Sequence, residues 1–223
     1  LSKRRVASVA AGALTRTAVA GRAAVQREMA TAFDRPTPFT LSSVRYREAT
    51  LDRLESEVFV STEKGPRNPS PAVVLKPQVE GGRRGFKGLE LALRAAGALP
   101  QGWYVTPGAG ARLDAYGNVS RGLITQVITQ IRRQAQFGPR DRRATLRTVR
   151  KAGGTIFAVK PGGKRQPGVY IADVVGRNVT PIFIFVSRAT YRKRLAFDEV
   201  IRREVVRTLP GLIAQGLGES VGR

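Results

Sequence analysis

The chain contains no cysteine and no histidine. Disulfides, thiolate nucleophiles, imidazole metal ligands and any serine–histidine–aspartate triad are excluded together. The lack of cysteine says nothing about redox compartment, because secreted proteins can lack disulfides too. Acidic residues are also scarce: 16 Asp and Glu stand against 39 Lys and Arg, giving a formal net charge of +23 and a pI near 11.6. Carboxylate chemistry would have to draw on few groups scattered among more than twice as many cations. No stretch approaches the roughly 18 apolar residues that span a bilayer. The strongest apolar run is the short Ile182–Val186.

What is present suits a folded body. With 223 residues and 42% hydrophobic content the chain can bury a real core. It shows no internal repeat and no evident linker, so the sequence reads as one domain, residues 1–223. An excess of positive charge opposes compaction by self-repulsion, and it usually persists because a polyanion answers it. Arginine supplies most of that charge. Guanidinium suits phosphate and carboxylate contacts, although an arginine-rich balance also follows genome composition.

Lys3-Arg4-Arg5 followed by Val6–Leu14, with Ala18-Val19-Ala20 beyond, has the outline of a signal peptide, and an acid-poor Arg-bearing helix also suits a transit peptide. The apolar part is mostly alanine and glycine, and Thr15-Arg16-Thr17 interrupts it. A basic amphipathic helix is the simpler reading. The chain opens on leucine rather than methionine, so a leader ahead of Leu1 is among the expectations.

The patterning predicts an α+β fold: long N- and C-terminal helices packed on a mostly antiparallel sheet, with two shorter central helices and long basic loops. Residues 1–33 read as one alanine-rich helix, stopped by Asp34-Arg35-Pro36-Thr37-Pro38. Strands are expected at Phe39–Tyr46, Leu54–Ser61 and Ala72–Leu75, with a loop at Glu63–Pro71. Helices follow at Phe86–Ala96, ending near Gly97, and from an N-cap at Ser120 to about Gln136. Three more strands, Thr155–Lys160, Gly168–Val174 and Thr180–Val186, are joined by the basic hairpin loop after Lys160 and a turn at Gly176–Asn178. A last helix is placed at residues 190–217, with Pro210-Gly211 able to kink it.

Several chemical motifs dissolve on inspection. Gly108-Ala109-Gly110 opens like a dinucleotide loop but has Leu113 in place of the third glycine. Gly162-Gly163-Lys164 is followed by Arg165 rather than Ser or Thr, and Asp114–Asn118 lacks the acidic ladder of a calcium loop. All three read as tight turns. Glu80 and Glu90 are spaced like paired catalytic carboxylates, but Arg83, Arg84 and Lys87 lie between them, so ion pairing is the simpler account. Asp198, Glu199 and Glu204 sit among arginines at helical spacing and read as surface ion pairs. No catalytic, cofactor-binding or metal-ligating residue is assigned, and no cofactor is expected.

The segment 132–151 is the most basic part of the chain and reads as an exposed loop or arm: eight cations face the single Asp141, and Gly138-Pro139 breaks it. A solvated charge run is the bland reading. The functional one is sequence-independent phosphate contact, since no recognition-helix pattern or stacking aromatic set accompanies the arginines. The candidate nucleic-acid-facing residues are Arg132, Arg133, Arg140, Arg142, Arg143, Arg147, Arg150 and Lys151, with Lys164 and Arg165 of the hairpin loop.

Three blocks carry a resemblance. They are the Ala/Arg helix through Ala18-Val19-Ala20-Gly21-Arg22-Ala23-Ala24 with Arg35–Thr50, the stretch Leu75–Ile131, and Pro167–Val200 leading into the last helix. Together they resemble tailed-phage and prophage virion proteins of the minor tail protein Z and tail-completion group. The resemblance implies a non-enzymatic structural role in the virion, at the head–tail neck or proximal tail. It implies symmetric rings around the DNA exit path, with portal or connector, tail-tube or terminator subunits as neighbours, and synthesis in the host cytoplasm. No functional residue carries over, because the group has no active-site motif.

Two other classes compete. A free nucleic-acid-binding protein would bind DNA alone with a steep salt dependence, lost on neutralising residues 140–151. A metal-dependent nuclease would need Asp114, Glu80 or Glu90.

Overall fold

The computed structural model describes residues 2–63, 70–137, 154–173 and 177–221, with no account of the side chains of 220 and 221. In chain order the first elements are α1 (Lys3–Ala32), α2 (Pro38–Ser42), β1 (Val44–Arg47), β2 (Glu57–Val60), α3 (Pro71–Glu80) and β3 (Gly82–Arg83). Next come α4 (Gly88–Ala95), β4 (Tyr104–Pro107), α5 (Arg121–Phe137), β5 (Thr155–Val159), β6 (Gly168–Ala172), β7 (Val179–Val186), β8 (Thr190–Tyr191) and α6 (Phe197–Val221). The fold is α+β with antiparallel sheets and long terminal helices, as the patterning predicts. Where the sequence reading counts one domain, the contacts gather into two compact units, residues 1–82 with 191–223 and residues 83–190.

In the first unit α1 and α6 lie side by side and antiparallel, with Gly216 against Val9 and Gly21 close to Ile201. The buried face of α1 carries Ala11, Ala13, Thr17, Ala18 and Gly21, small residues that let the helices approach closely. A Cβ built on Gly216 would lie 2.6 Å from Val9 Cγ1, so glycine is what that approach requires. Further along, Val25 and Met29 join Val44, Leu75, Leu195 and Val200 in a core closed by the β1–β2 pair. Ser2 caps α1, its hydroxyl accepting from Arg5 N at 3.3 Å.

One expected strand and the first half of another are helices. Residues 38–42 begin with Thr37 as N-cap, its hydroxyl accepting from Thr40 N at 3.1 Å, and Pro38 in the first turn. That pairing favours helix entry over the apolar run that suggested a strand. Likewise Pro71 opens α3 after Ser70, so Ala72–Leu75 forms helix despite its two valines. Strand β1 is therefore shorter than expected, starting at Val44. The C-terminal helix starts later than expected: Tyr191 belongs to β8, and residues 192–196 form a non-helical link in which Arg194 N and Leu195 N donate to the Gln78 carbonyl at 2.8 and 3.0 Å. Pro210 lies within α6 without ending it.

The second unit is a four-stranded antiparallel sheet, ordered β4-β7-β6-β5, covered by α4 and α5. Leu93, Val105, Val127, Ile131, Ile156 and Phe183 are among its buried core. These two helices and three of the strands stand within a few residues of their expected places, and Ser120 caps α5, accepting from Leu123 N at 3.3 Å. Strand β7 tolerates Pro181 because the β6–β7 register shifts between Val169 and Tyr170, a bulge where a missing N–H costs no ladder bond.

Side chains cover each edge of this sheet at one residue. On β5, Ile156 N donates to Gln130 Oε1 at 3.1 Å and the Ile156 carbonyl accepts from Gln134 Nε2 at 2.6 Å. The two glutamines are one turn apart on α5 and replace a neighbouring strand at that residue. On β4, Val105 N donates to Glu90 Oε1 at 2.8 Å and its carbonyl accepts from Arg84 Nη2 at 3.3 Å. An unpaired edge is a template for another strand, so such side chains block sheet-to-sheet association. Converting Gln130 and Gln134 to leucine strands the Ile156 N–H and carbonyl, at about 1–3 kcal/mol for each buried group. The expected readout is a lower urea midpoint together with concentration-dependent light scattering. A double variant that stays as stable and as monodisperse as the parent would show that water satisfies the edge instead.

Candidate nucleic-acid interface

The charge is unevenly shared. Nineteen of the 39 Lys and Arg fall within residues 83–190, accompanied by only four of the 16 carboxylates: Glu90, Asp114, Asp141 and Asp173. Of these, Asp141 lies outside the described residues, and the other three are engaged by neighbouring donors. Asp114 Oδ1 accepts from Tyr116 N at 2.9 Å and Asn118 N at 2.8 Å, tying its own turn. Asp173 accepts from Arg177 N, Asn178 N and Asn178 Nδ2 at 2.9, 3.1 and 3.0 Å.

Glu90 is wholly buried. It accepts from Arg84 Nη1 at 2.9 Å, Arg84 Nη2, Lys87 N at 2.6 Å and Val105 N at 2.8 Å. Burial by itself raises its carboxyl, but the bonds from the Arg84 guanidinium and the two N–H groups outweigh it and hold the group below the usual carboxylate range. Arg84 is buried too, its guanidinium 5.0 Å from the Tyr104 ring centroid. The expectation of ion pairing at Glu90 is met by Arg84. Glu80 pairs instead with Lys76, one helical turn earlier, at 3.8 Å. On α6, Glu204 pairs with Arg207 and Glu199 with Lys193 at 3.5 Å.

Six candidate residues, Arg140, Arg142, Arg143, Arg147, Arg150 and Lys151, lie outside the described residues. Four are placed. Arg132 and Arg133 sit on α5, which meets β5 at Ile156, so they belong to a helix rather than to an exposed loop; Arg132 is exposed and Arg133 half-buried. Lys164 and Arg165 are exposed on the β5–β6 hairpin loop. That loop begins at Lys160, four residues along β5 from Ile156, or about 13 Å at strand spacing. The arginines of α5 and the cations of the loop are thus separate groups.

The hairpin loop is well anchored. Tyr170 Oη donates to the Gln166 carbonyl at 2.7 Å, while its ring stacks on Phe157 at 5.9 Å and lies 5.4 Å from the Arg165 guanidinium. Gly162 adopts φ 100°, a conformation that favours glycine, in the turn that joins β5 to β6. The Gly108-Ala109-Gly110 segment continues the β4 pairing: Gly108 N donates to the Ile182 carbonyl and Gly110 N to the Pro181 carbonyl, both at 2.8 Å. A Cβ on Gly108 would meet the Pro181 carbonyl oxygen at 2.5 Å, so close backbone approach accounts for that glycine.

Sequence reasoning missed Lys160 and Arg188 as companions of Lys164 and Arg165. Lys160 was readable as the residue entering a basic hairpin loop. Arg188 was not, because only strand pairing brings the end of β7 beside that loop. Among the described residues no helix is long and apolar enough to cross a membrane, and no group of three or more carboxylates stands where it could hold a metal. No protein-family model matches the chain, and no curated protein or solved structure matches it.

Proposed function

We propose that this chain is a basic structural protein of a multi-subunit assembly built next to nucleic acid. Within that class, it completes or joins the tail at the head–tail neck of a tailed-bacteriophage virion, around the DNA exit path. The observation that carries this reading is the charge of residues 83–190, where cations crowd and every described carboxylate is engaged close by. A protein whose cations are so poorly answered from within suits a site next to a polyanion. The resemblance of the three sequence blocks to the minor tail protein Z and tail-completion group supplies the particular place. Symmetric copies, with portal or connector, terminator and tail-tube subunits as neighbours, follow from that place.

Electron microscopy of lysates from a phage or prophage lacking the gene tests the reading. Filled heads beside unattached tails, or particles leaking DNA, are expected. Normal infectious particles would overturn it. The second reading, a free sequence-independent nucleic-acid-binding protein, is favoured by the anchored basic hairpin loop, and it requires steeply salt-dependent DNA binding by the isolated chain.

A further inference from the structure

We infer that one end of the four-stranded sheet is a docking surface for the phosphate backbone of duplex DNA, formed by Lys160, Lys164, Arg165 and Arg188. The inference rests on the reading of the protein as a neighbour of nucleic acid and names the surface that meets it. Strand pairing brings the four together. Val159 faces Gly168 across β5–β6, Gly168 faces Ile184 across β6–β7, and Val186 faces Tyr104 across β7–β4. Lys160 leaves β5, Lys164 and Arg165 precede β6, and Arg188 follows β7, so all four emerge at the same end. Phe185 N donates to the Pro167 carbonyl at 2.9 Å, tying the hairpin loop to the end of β7. Neighbouring strands are about 4.8 Å apart, so the cations spread over a width of roughly 10–15 Å.

Three observations choose the occupant. All four side chains are exposed, and none forms an ion pair among the described residues. Residues 100–104, 160–168 and 186–190, which make up this end, contain no carboxylate at all. Phe86, exposed and stacked on Tyr104 at 5.0 Å, is a single large hydrophobic residue beside this end, less than the apolar centre expected of a protein–protein interface. Charge without carboxylates and with little apolar surface is complementary to a regular row of phosphates. The loop is already held by Tyr170, so little ordering is required when DNA arrives.

The test uses the full chain and a fluorescein-labelled DNA duplex of mixed sequence, with anisotropy titrations over a range of salt. The K160Q/K164Q/R165Q/R188Q variant is compared with R45Q/R53Q/R202Q/R203Q, which removes the same charge from exposed positions of the other unit. Circular dichroism and the thermal midpoint establish that both variants are folded. The first variant is expected to bind at least about tenfold more weakly, its log–log salt slope flatter by roughly three to four, since each phosphate contact contributes about 0.9. The second should lose markedly less, and charge-keeping R165K/R188K should retain affinity. Equal losses from both quadruple variants, or no binding by the parent at low salt, would overturn the inference. Displacement of the DNA by polyglutamate at matched charge would assign the surface to an acidic protein and overturn it as well. If the gene deletion separates heads from tails and the quadruple variant restores full infectivity, the neck reading stands and this surface fails. If the deletion leaves particles normal while the surface binds as expected, the opposite holds.

Discussion

Replacing Glu90 by leucine is expected to lower unfolding stability by about 3–5 kcal/mol, the range for breaking one side of a buried ion pair. The change removes the partner of a buried guanidinium and leaves Lys87 N and Val105 N without their acceptor. Arg84 retains the Gly85 carbonyl at 3.0 Å and the Val105 carbonyl at 3.3 Å, which satisfy donors but do not neutralise its charge. The urea midpoint should fall at unchanged slope. Replacing both partners, as in R84M/E90L, should recover much of the loss, because the uncompensated charge disappears along with its counter-ion. A single variant as stable as the parent would mean that Arg84 reaches solvent and the pair is dispensable.

The same group gives a pH dependence with a definite sign. Its folded pKa lies below the ordinary carboxylate value, so the unfolded chain takes up a proton first as pH falls. The stability contributed by Glu90 is complete above the unfolded value, about 4.3, and is lost as pH drops through the folded one. R84M/E90L should lack this component of acid destabilisation.

Replacing Gly168 by alanine is expected to cost about 1–3 kcal/mol or more, the scale of overpacking a well-filled interior. The new Cβ would lie 2.3 Å from the Phe183 carbonyl oxygen and 3.3 Å from Ile184 Cα. Both are backbone atoms of β7, and neighbouring Val169 and Phe183 are buried in the core, so β6 cannot retreat without opening it. Gly163, five residues earlier in the same hairpin loop, is the control: nothing lies within 4 Å of its Cβ position. Alanine there should shift stability by no more than about 0.5 kcal/mol. Equal thermal midpoints for G168A and the parent would show that the strands separate at little cost.

The elements legible in the sequence are those whose patterning and tertiary packing agree. Leu123, Ile124, Val127 and Ile131 repeat at helical spacing with Ser120 ahead of them, and that face is the one α5 buries. The Ile182–Val186 run reads as a strand because both sides of β7 are covered by strands and helices. Agreement fails at Phe39 and Ala72–Leu75, where apolar and β-branched residues suggest strands but Thr37-Pro38 and Ser70-Pro71 start helices. It fails again at residues 192–196, which are not helical and are tied to the Gln78 carbonyl, more than 110 residues away in the chain.

Composition alone determined that thiol and imidazole chemistry are absent and that a large positive charge must be accommodated. Local periodicity determined the long terminal helices and most of the central sheet, since spacing along one segment decides which face can be buried. Tertiary structure decided what the charged residues do. Glu90 and Arg84, six residues apart, became a buried substitute for a strand because β4 needed its edge covered. Lys160, Lys164, Arg165 and Arg188 became one exposed row because antiparallel pairing returns distant segments to the same end of a sheet. Register sets that geometry, and register depends on contacts that no single stretch of sequence contains.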